Sequence, residues 1–169
     1  MEMKIEDALE LIQDPHLKGC SLLYLDKLKL MGFDHAPASR NIHHAYDGGL
    51  RDHVEEMLDL GIHLIKKVPN INLDYLIVAI VFHDAGKTQL YVKIDNHYKH
   101  NTYIENKDHS LFPVDDWIAL GYNMPEEVRL AILSHMGGWS VTGVYPDRLL
   151  DTIVCAADLI SSRLKGDWS

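Results

Sequence analysis

The chain is expected to fold as an all-α helical bundle with one short β-hairpin, a single domain over residues 1–169. Three features lead to this. Apolar residues recur at helical spacing along most of the chain, and the run Leu73–Phe82 is so continuously apolar that it suits a helix buried on all sides. Only the stretch around Asp95-Asn96 reads as paired strands. Nothing repeats, and no linker divides the chain.

The first helix carries Ile5, Ala8, Leu9 and Ile12 on one face and is stopped by Asp14-Pro15. Cys20 to Met31 forms a second amphipathic segment closed by Gly32, so the N-terminal helices occupy about residues 3–31. Phe33 to Arg40, with Pro37, is a loop. Gly48-Gly49 gives a tight turn into the next helix, and no P-loop pattern follows it. Leu50 to Lys67 places Leu50, Val54, Met57, Leu58, Gly61, Ile62 and Ile65 on one stripe. His53 borders that stripe, so its ring should point inward. Asn72 can cap Leu73–Phe82; His83 and Asp84 then end the helix, and Gly86 suits a left-handed terminator. Leu90–Ile94 and His97–His100 flank the Asp95-Asn96 turn of the hairpin. Ser110–Leu120 is helical from near Pro113, Pro125 at the first helical position opens Glu126–Ser134, and Pro146 opens Asp147–Leu164. In this last helix Leu150, Ile153, Val154, Ala157 and Ile160 form the core stripe around Asp158.

A chain of 169 residues can bury a full core without staples, and its 47% hydrophobic content is ordinary. Cys20 and Cys155 have neither CxxC spacing nor an even framework, which excludes a disulfide scaffold and a zinc ribbon and makes a reducing cytoplasm the natural setting. The start, Met1-Glu2-Met3-Lys4-Ile5-Glu6-Asp7, lacks a basic segment followed by an apolar one, and no run approaches the roughly 18 apolar residues of a membrane span. The expectation is a soluble, unexported, cytoplasmic protein. A formal charge of −9 argues against coating nucleic acid through the whole surface. Between Lys87 and His109, however, Lys87, Lys93, Lys99 and Lys107 stand against Asp95, Glu105 and Asp108, giving +1 there and −10 elsewhere. A local phosphate-attracting lip on an acidic body is consistent with that distribution.

Eleven histidines are spread from His16 to His135, too dispersed for a tag, and they favour metal chemistry. Six residues form an ordered series: His53, then His83-Asp84 thirty positions on, then His109 and His135 at equal intervals of 26, then Asp158 after 23 more. Divalent metals take neutral imidazole nitrogen and carboxylate oxygen, and an aspartate has two oxygens, so these side chains can hold two ions with Asp84 bridging. Adjacent helix residues point about 100° apart, so His83 and Asp84 can share a centre only from a helix end. His53 and Asp158 would complete one site with them, while the second oxygen of Asp84 would reach an ion held by His109 and His135. A pair of ions about 3.5–4 Å apart makes a bridging hydroxide nucleophilic near neutral pH and neutralises phosphoryl oxygens. A single histidine on an apolar helix face is more often a hydrogen-bonded core residue, and His109 or His135 could instead contact substrate beside one metal. The full series favours ligation, because burying an unpaired Asp costs several kcal/mol.

This order of residues resembles the HD-domain superfamily of metal-dependent phosphohydrolases, over roughly Ile42 to Leu164, which sets the domain core at about residues 42–164. The stretch His43-His44-Ala45-Tyr46-Asp47-Gly48-Gly49-Leu50-Arg51-Asp52-His53 is similar to the start of the domain in the branch containing bacterial 3′→5′ exoribonucleases. Ile132-Leu133-Ser134-His135 and Ala156-Ala157-Asp158 are similar to its later metal motifs. Where that branch often carries a further His after the position of His135, this chain has Met136. The mixed imidazole and carboxylate set suits two divalent ions, Mn2+ first, with Fe2+, Ni2+, Co2+ or Zn2+ as alternatives. The resemblance also places His44 close to the active site, against the simpler reading of a loop histidine bonded to backbone; His43 is read as structural.

Lys87 lies one turn beyond Asp84, where its ammonium could bind a substrate phosphate or stabilise the leaving group; a solvated lysine at a helix end is the plainer reading. Arg51 and Asp52 either orient neighbours or are surface charge. Trp139, Tyr145 and Arg148 could line a base-binding pocket or simply pack. Asp151, seven residues before Asp158, either shares its side or caps the helix. His16, His35, His63, His97 and His100 have no place in the series and are read as surface or core residues. No GxSxG elbow, Cys–His nucleophile or Walker motif is present.

The expected activity is metal-dependent hydrolysis of a phosphomonoester or phosphodiester of a nucleotide, an oligonucleotide or a nucleic-acid 3′ end, with Asp84, Lys87 and His44 as catalytic candidates. Small phosphate esters and short oligonucleotides rank above long polymers, because the body is acidic and the chain has no room for an added binding domain. Two other classes fit the same ligand set: a di-iron oxygenase of the HD superfamily, and a ligand-binding regulator that holds metal without turnover. The Gly48-Gly49-Leu50 flank and the lysine-rich hairpin weigh against the first, and the intact ligand series against the second.

Overall fold

A computed structural model of the chain describes residues 3–95, 97–104, 109–140 and 142–164. Asn96 of the expected turn, and Glu105, Lys107 and Asp108 of the expected basic lip, lie outside the described residues.

The all-α expectation holds. Helix α1 spans Ile5–Glu10 and buries Ile5, Ala8 and Leu9. Helix α2, Pro15–Leu30, begins five residues earlier than its apolar pattern suggests. Asp14-Pro15 opens α2, because Asp14 accepts the backbone N–H groups of His16 and Leu17 at 2.8 and 2.9 Å and proline needs no partner in a first turn, whereas α1 has already ended at Glu10. Residues Phe33–His35, expected as loop, make a single 3-10 turn.

Helix α3 is Gly49–Ile65, and the two glycines before it have separate reasons. Gly48 has φ +82°, and a Cβ on Gly49 would stand 2.0 Å from the carbonyl oxygen of His44. Helix α4 runs Leu73–Phe82, with Asn72 Oδ1 accepting from the N–H groups of Asp74 and Tyr75. Its side chains from Leu76 to Phe82 are all buried, as the apolar run requires. A one-turn helix α5, Lys87–Leu90, leads into β1, Tyr91–Ile94, which pairs antiparallel with β2, His97–His100, so that Tyr91 faces His100 and Ile94 faces His97.

Helix α6 is Phe112–Ala119 with Pro113 in its first turn, and α7 is Glu126–Ser134, with Pro125 one position ahead of it instead of inside it. Helix α8 is Leu149–Leu164, starting two residues later than expected. The reason is Asp151, whose Oδ2 accepts from the N–H of Arg148 at 3.2 Å and so caps the approach to the helix.

Helices α3, α4, α7 and α8 pack on one another around the central α4, and α1 lies across α3 and α4. A second layer is keyed in by aromatics. Tyr24 of α2, Phe82 of α4 and Trp117 of α6 meet with ring centroids 5.0 to 6.4 Å apart, and Asp116 accepts from Tyr24 and from Lys27 on its outer edge. The buried side chains form one continuous apolar core, and the C-terminal ends of α4 and α7 emerge from it side by side.

Candidate metal centre

His83 is the first residue past α4 and His135 the first past α7, and each turns its ring back on its own helix. His83 Nδ1 lies 2.8 Å from the carbonyl of Ile80, and His135 Nδ1 2.6 Å from that of Ile132. A carbonyl can only accept, so in both neutral rings the proton sits on Nδ1 and Nε2 carries a lone pair. His53, in the middle of α3, reaches the same state from a different element: its Nδ1 is 2.9 Å from Ser161 Oγ on α8.

The three lone pairs converge on Asp84. Its Oδ2 stands 3.2 Å from His83 Nε2 and 3.8 Å from His53 Nε2, while Oδ1 stands 3.5 Å from His135 Nε2 and 3.6 Å from His109 Nε2. Asp158 on α8 approaches His53 Nε2 at 3.1 Å through Oδ1. Two groups of three therefore share one carboxylate: His53, His83 and Asp84, and Asp84, His109 and His135, with the ligand atoms of each group within 4.8 Å of one another. The inward nitrogens of His53, His83 and His135 are buried without a hydrogen bond of good geometry, as is Asp84 Oδ1. Donors with lone pairs, held in place and left unbonded around an anion, are a fit for divalent metal.

His109 reaches the centre because of Gly86. The expected left-handed terminator is not there: Gly86 is right-handed, φ −63°. Its missing side chain serves packing instead, since a Cβ would stand 2.3 Å from the backbone carbonyl oxygen of His109.

Lys87 is buried, not the solvated lysine of the plainer reading, and its Nζ stands 2.5 Å from Asp84 Oδ2. Burial raises the Asp84 pKa, but the positive charge of Lys87, then that of His83, carries it well below the usual carboxylate range. Asp158 is likewise pulled far down against its burial, chiefly by His53. Burial lowers His53 despite Asp158, whereas at His83 the Asp84 charge more than reverses the effect of burial and raises it.

A cavity of about 510 Å3 opens onto the centre, floored by Lys87, His135 and Asp158 and walled by Ile42, His43, Met136, Trp139, Cys155 and Leu159. Trp139 leans over it, 70% exposed, while Tyr145 and Arg148 stand exposed outside its lining. The hairpin does not share this cavity. Lys93, His97 and Tyr98 line a second cleft of about 500 Å3 across the 40–47 loop, where the Tyr98 hydroxyl bonds to His35 O and Asp47.

Both loop histidines lie against His53, with ring centroids 5.1 Å (His43) and 5.3 Å (His44) from it. His44 is buried behind the centre, its Nε2 3.2 Å from Glu56 and its Nδ1 3.3 Å from His43 Nδ1. His43, read as structural, lines the cavity, and burial followed by the nearby Lys87 charge pushes its pKa down to about 3. Ser39 holds this loop by accepting from the N–H groups of Ile42 and His43 and donating to His43 O. Glu56 and Ser161, which no motif flagged, stand one turn beyond His53 and Asp158 on the same helices, and that spacing is the signal that could have found them. Arg51 orients carboxylates of the N-terminal layer, Asp52 accepts from Tyr46, and Asp151 is the cap of α8.

Comparison with known proteins agrees with this arrangement. The family model for the HD domain matches residues 50–163. The 3′-5′ exoribonuclease YhaM of Geobacillus sp. (strain WCH70) is 35% identical over 92 residues, covering 50% of this chain and 28% of the relative. The dihydroneopterin 2′,3′-cyclic phosphate phosphodiesterase of Methanocaldococcus jannaschii is 30% identical over 137 residues, 78% of this chain and 53% of the relative. The chain thus spans about half or less of the length of these relatives. No solved structure matches it significantly. With the family model covering most of the chain, including five of the six series residues on α3, α4, α7 and α8 or at their ends and His109 between them, the chain belongs to the HD-domain family.

Proposed function

We propose that the chain is a metal-dependent phosphohydrolase that holds two divalent ions, with His53, His83, Asp84 and Asp158 at one site and Asp84, His109 and His135 at the other. One observation carries this reading: two three-residue groups of metal-ligating type share the single buried carboxylate of Asp84. When bound, such ions supply an activated water at neutral pH and charge for the phosphoryl oxygens. Mn2+ is the first candidate, because mixed imidazole and carboxylate ligands suit the mid-series divalent metals better than Mg2+ alone.

The chain's own groups do the rest. Lys87 floors the cavity and offers an ammonium to a substrate phosphate. Trp139 offers an exposed indole face on which a base stacks. The cavity's volume, about 510 Å3, suits a ligand of nucleotide size. Both relatives are named for cleaving phosphodiesters, in RNA and in a cyclic phosphate respectively, so a phosphodiester of a nucleotide, short oligonucleotide or nucleic-acid 3′ end ranks above a monoester. His44 supports the site from behind. No helix among the described residues is long and apolar enough to cross a membrane, and Cys20 and Cys155 are free thiols, which favours the cytoplasm.

The test is elemental analysis of protein purified without chelator, followed by a panel of phosphomonoesters and phosphodiesters with added Mn2+. Two equivalents of metal and Mn2+-dependent diester hydrolysis are expected. Full activity in EDTA contradicts the reading, and a visible absorption band from bridged ferric iron turns it toward oxygenase chemistry.

A further inference from the structure

Behind the centre runs a line of hydrogen bonds that joins a cavity residue to a candidate metal ligand. Ser161 donates its only proton to Glu56 Oε2 at 2.9 Å, so toward His53 Nδ1, also at 2.9 Å, its oxygen can only accept. His53 is thereby held with its proton on Nδ1 and its lone pair on Nε2, the nitrogen that faces Asp158 and Asp84. The same Glu56 oxygen stands 3.2 Å from His44 Nε2. A carboxylate only accepts, so His44 is protonated on Nε2, and the neutral ring presents Nδ1 as an acceptor to His43 Nδ1 at 3.3 Å. That leaves His43 with its proton on Nδ1 and an acceptor on Nε2, in a ring that lines the cavity beside Lys87.

We infer that Glu56 is a positioning residue that sets two histidines at once, fixing the inward lone pair of His53 through Ser161 and giving the cavity a hydrogen-bond acceptor on His43 through His44. One carboxylate of α3 thus ties the binding of metal to the binding face offered to substrate. His83 and His135 do not depend on it, because backbone carbonyls hold them. The line rests on the metal reading only for its consequence, the affinity for metal; the proton positions are properties of the metal-free protein.

Two-bond proton–nitrogen correlation spectra of the histidine rings in the metal-free protein read the tautomers directly, with assignments from single His→Gln variants. At a pH where the rings are neutral, all four of His43, His53, His83 and His135 should show the Nδ1–H form. Glu56→Met keeps the length of the side chain and removes its acceptors. In that variant His43 and His53 should lose the single-tautomer pattern while His83 and His135 keep it, and Mn2+ affinity by calorimetry should fall about 10- to 100-fold. Glu56→Gln, whose amide oxygen still accepts, should restore both rings. Ser161→Ala should split the pair, disturbing His53 and leaving His43 unchanged, and it carries the test if Glu56→Met fails to fold. An Nε2–H form of His43 or His53 in the wild-type protein overturns the inference, as does an unchanged pattern in folded Glu56→Met or Ser161→Ala. The expected tautomer changes in a protein that binds no Mn2+ would sustain the line while sinking the metal reading.

Discussion

Helix α3 presents charge on two faces, and the two are built on opposite principles. On one face Arg51 and Glu55 belong to a seam with the N-terminal layer: Arg51 donates to Asp34 at 2.7 Å, to Glu55 at 3.1 Å and to Glu6, while Lys29 holds Glu6 and Lys4 holds Glu55, each at 2.7 Å. Every charge there has an opposite charge to meet. On the other face His53 looks into a centre where three imidazole nitrogens are buried without a good hydrogen bond around Asp84, whose Oδ2 meets the Lys87 ammonium. Leaving a buried polar group unmet costs about 1–3 kcal/mol, so several converging on one point lower the stability of the metal-free fold. A cation placed among them would remove that cost. Paired charge marks where the fold is fastened, and converging unbonded imidazole nitrogens mark where a cation fits.

The largest expected break lies at Asp84, the only carboxylate common to both ligand groups. Asp84→Ala should remove both equivalents of metal, with a loss of affinity beyond the 10- to 100-fold that an outer partner costs, whereas His135→Ala should remove one equivalent and leave the other. Elemental analysis separates these cases. Full metal content in folded Asp84→Ala would sink the ligand assignment.

Lys87 sharpens the comparison, because it is buried like the centre yet paired like the seam. Lys87→Ala should depress kcat/KM by roughly ten- to a hundredfold, the worth of a charge-assisted contact of about 1.5–3 kcal/mol, and should do so by more than Lys93→Ala. Metal content should be retained, since an ammonium 2.5 Å from Asp84 Oδ2 competes with a cation for that oxygen. Salt distinguishes the two lysines: screening should erode the contribution of exposed Lys93 and spare that of Lys87. Wild-type kinetics for Lys87→Ala would reduce it to a counter-ion for Asp84.

What the sequence made legible follows the same division. The apolar run of α4 with its Asn72 cap, the inward face of His53 and the convergence of the six-residue series could be read because each depends on short-range periodicity or on the ligand chemistry of residue types. What depends on tertiary approach could not. The reason for Gly86 lies in the backbone of His109, which no local rule supplies. Glu56 and Ser161 meet across 105 positions, and His43 enters the cavity because the loop turns at His44, which has φ +47°. Asp14-Pro15 reads locally as a stop, yet α1 ends at Glu10 without it and the pair starts α2, with Asp14 as the cap.

At the seam, Arg51→Met should leave three carboxylates without their shared guanidinium. Because Glu55 is only 3% exposed, the loss should be about 2 kcal/mol, more than an exposed ion pair gives, with a lower urea midpoint. Metal content should not change, because Arg51 reaches none of the six candidate ligands through its hydrogen bonds. A variant that keeps its stability but loses metal would erase the distinction between the two faces of α3.

The smallest effect is a matter of pH. Burial raises the Glu6 carboxyl, but its hydrogen bonds to Arg51 and Lys29 outweigh this and hold it down at about 2, against 4.5 when free. A depressed carboxylate stabilises the fold above its unfolded pKa, so the contribution of Glu6 should be fully present above about pH 5 and should drain away as pH falls from 4.5 toward 2. Glu6 is 43% exposed, and solvent screening keeps the effect within the 1 kcal/mol or so of a surface pair. Thermal unfolding of wild type and Glu6→Gln should therefore differ by a few degrees at most at pH 7, and the gap should narrow as pH falls from 4.5 toward 2. A gap that widens on acidification would mean that Glu6 is strained by its burial instead of held by its partners, and the seam would then resemble the centre it was contrasted with.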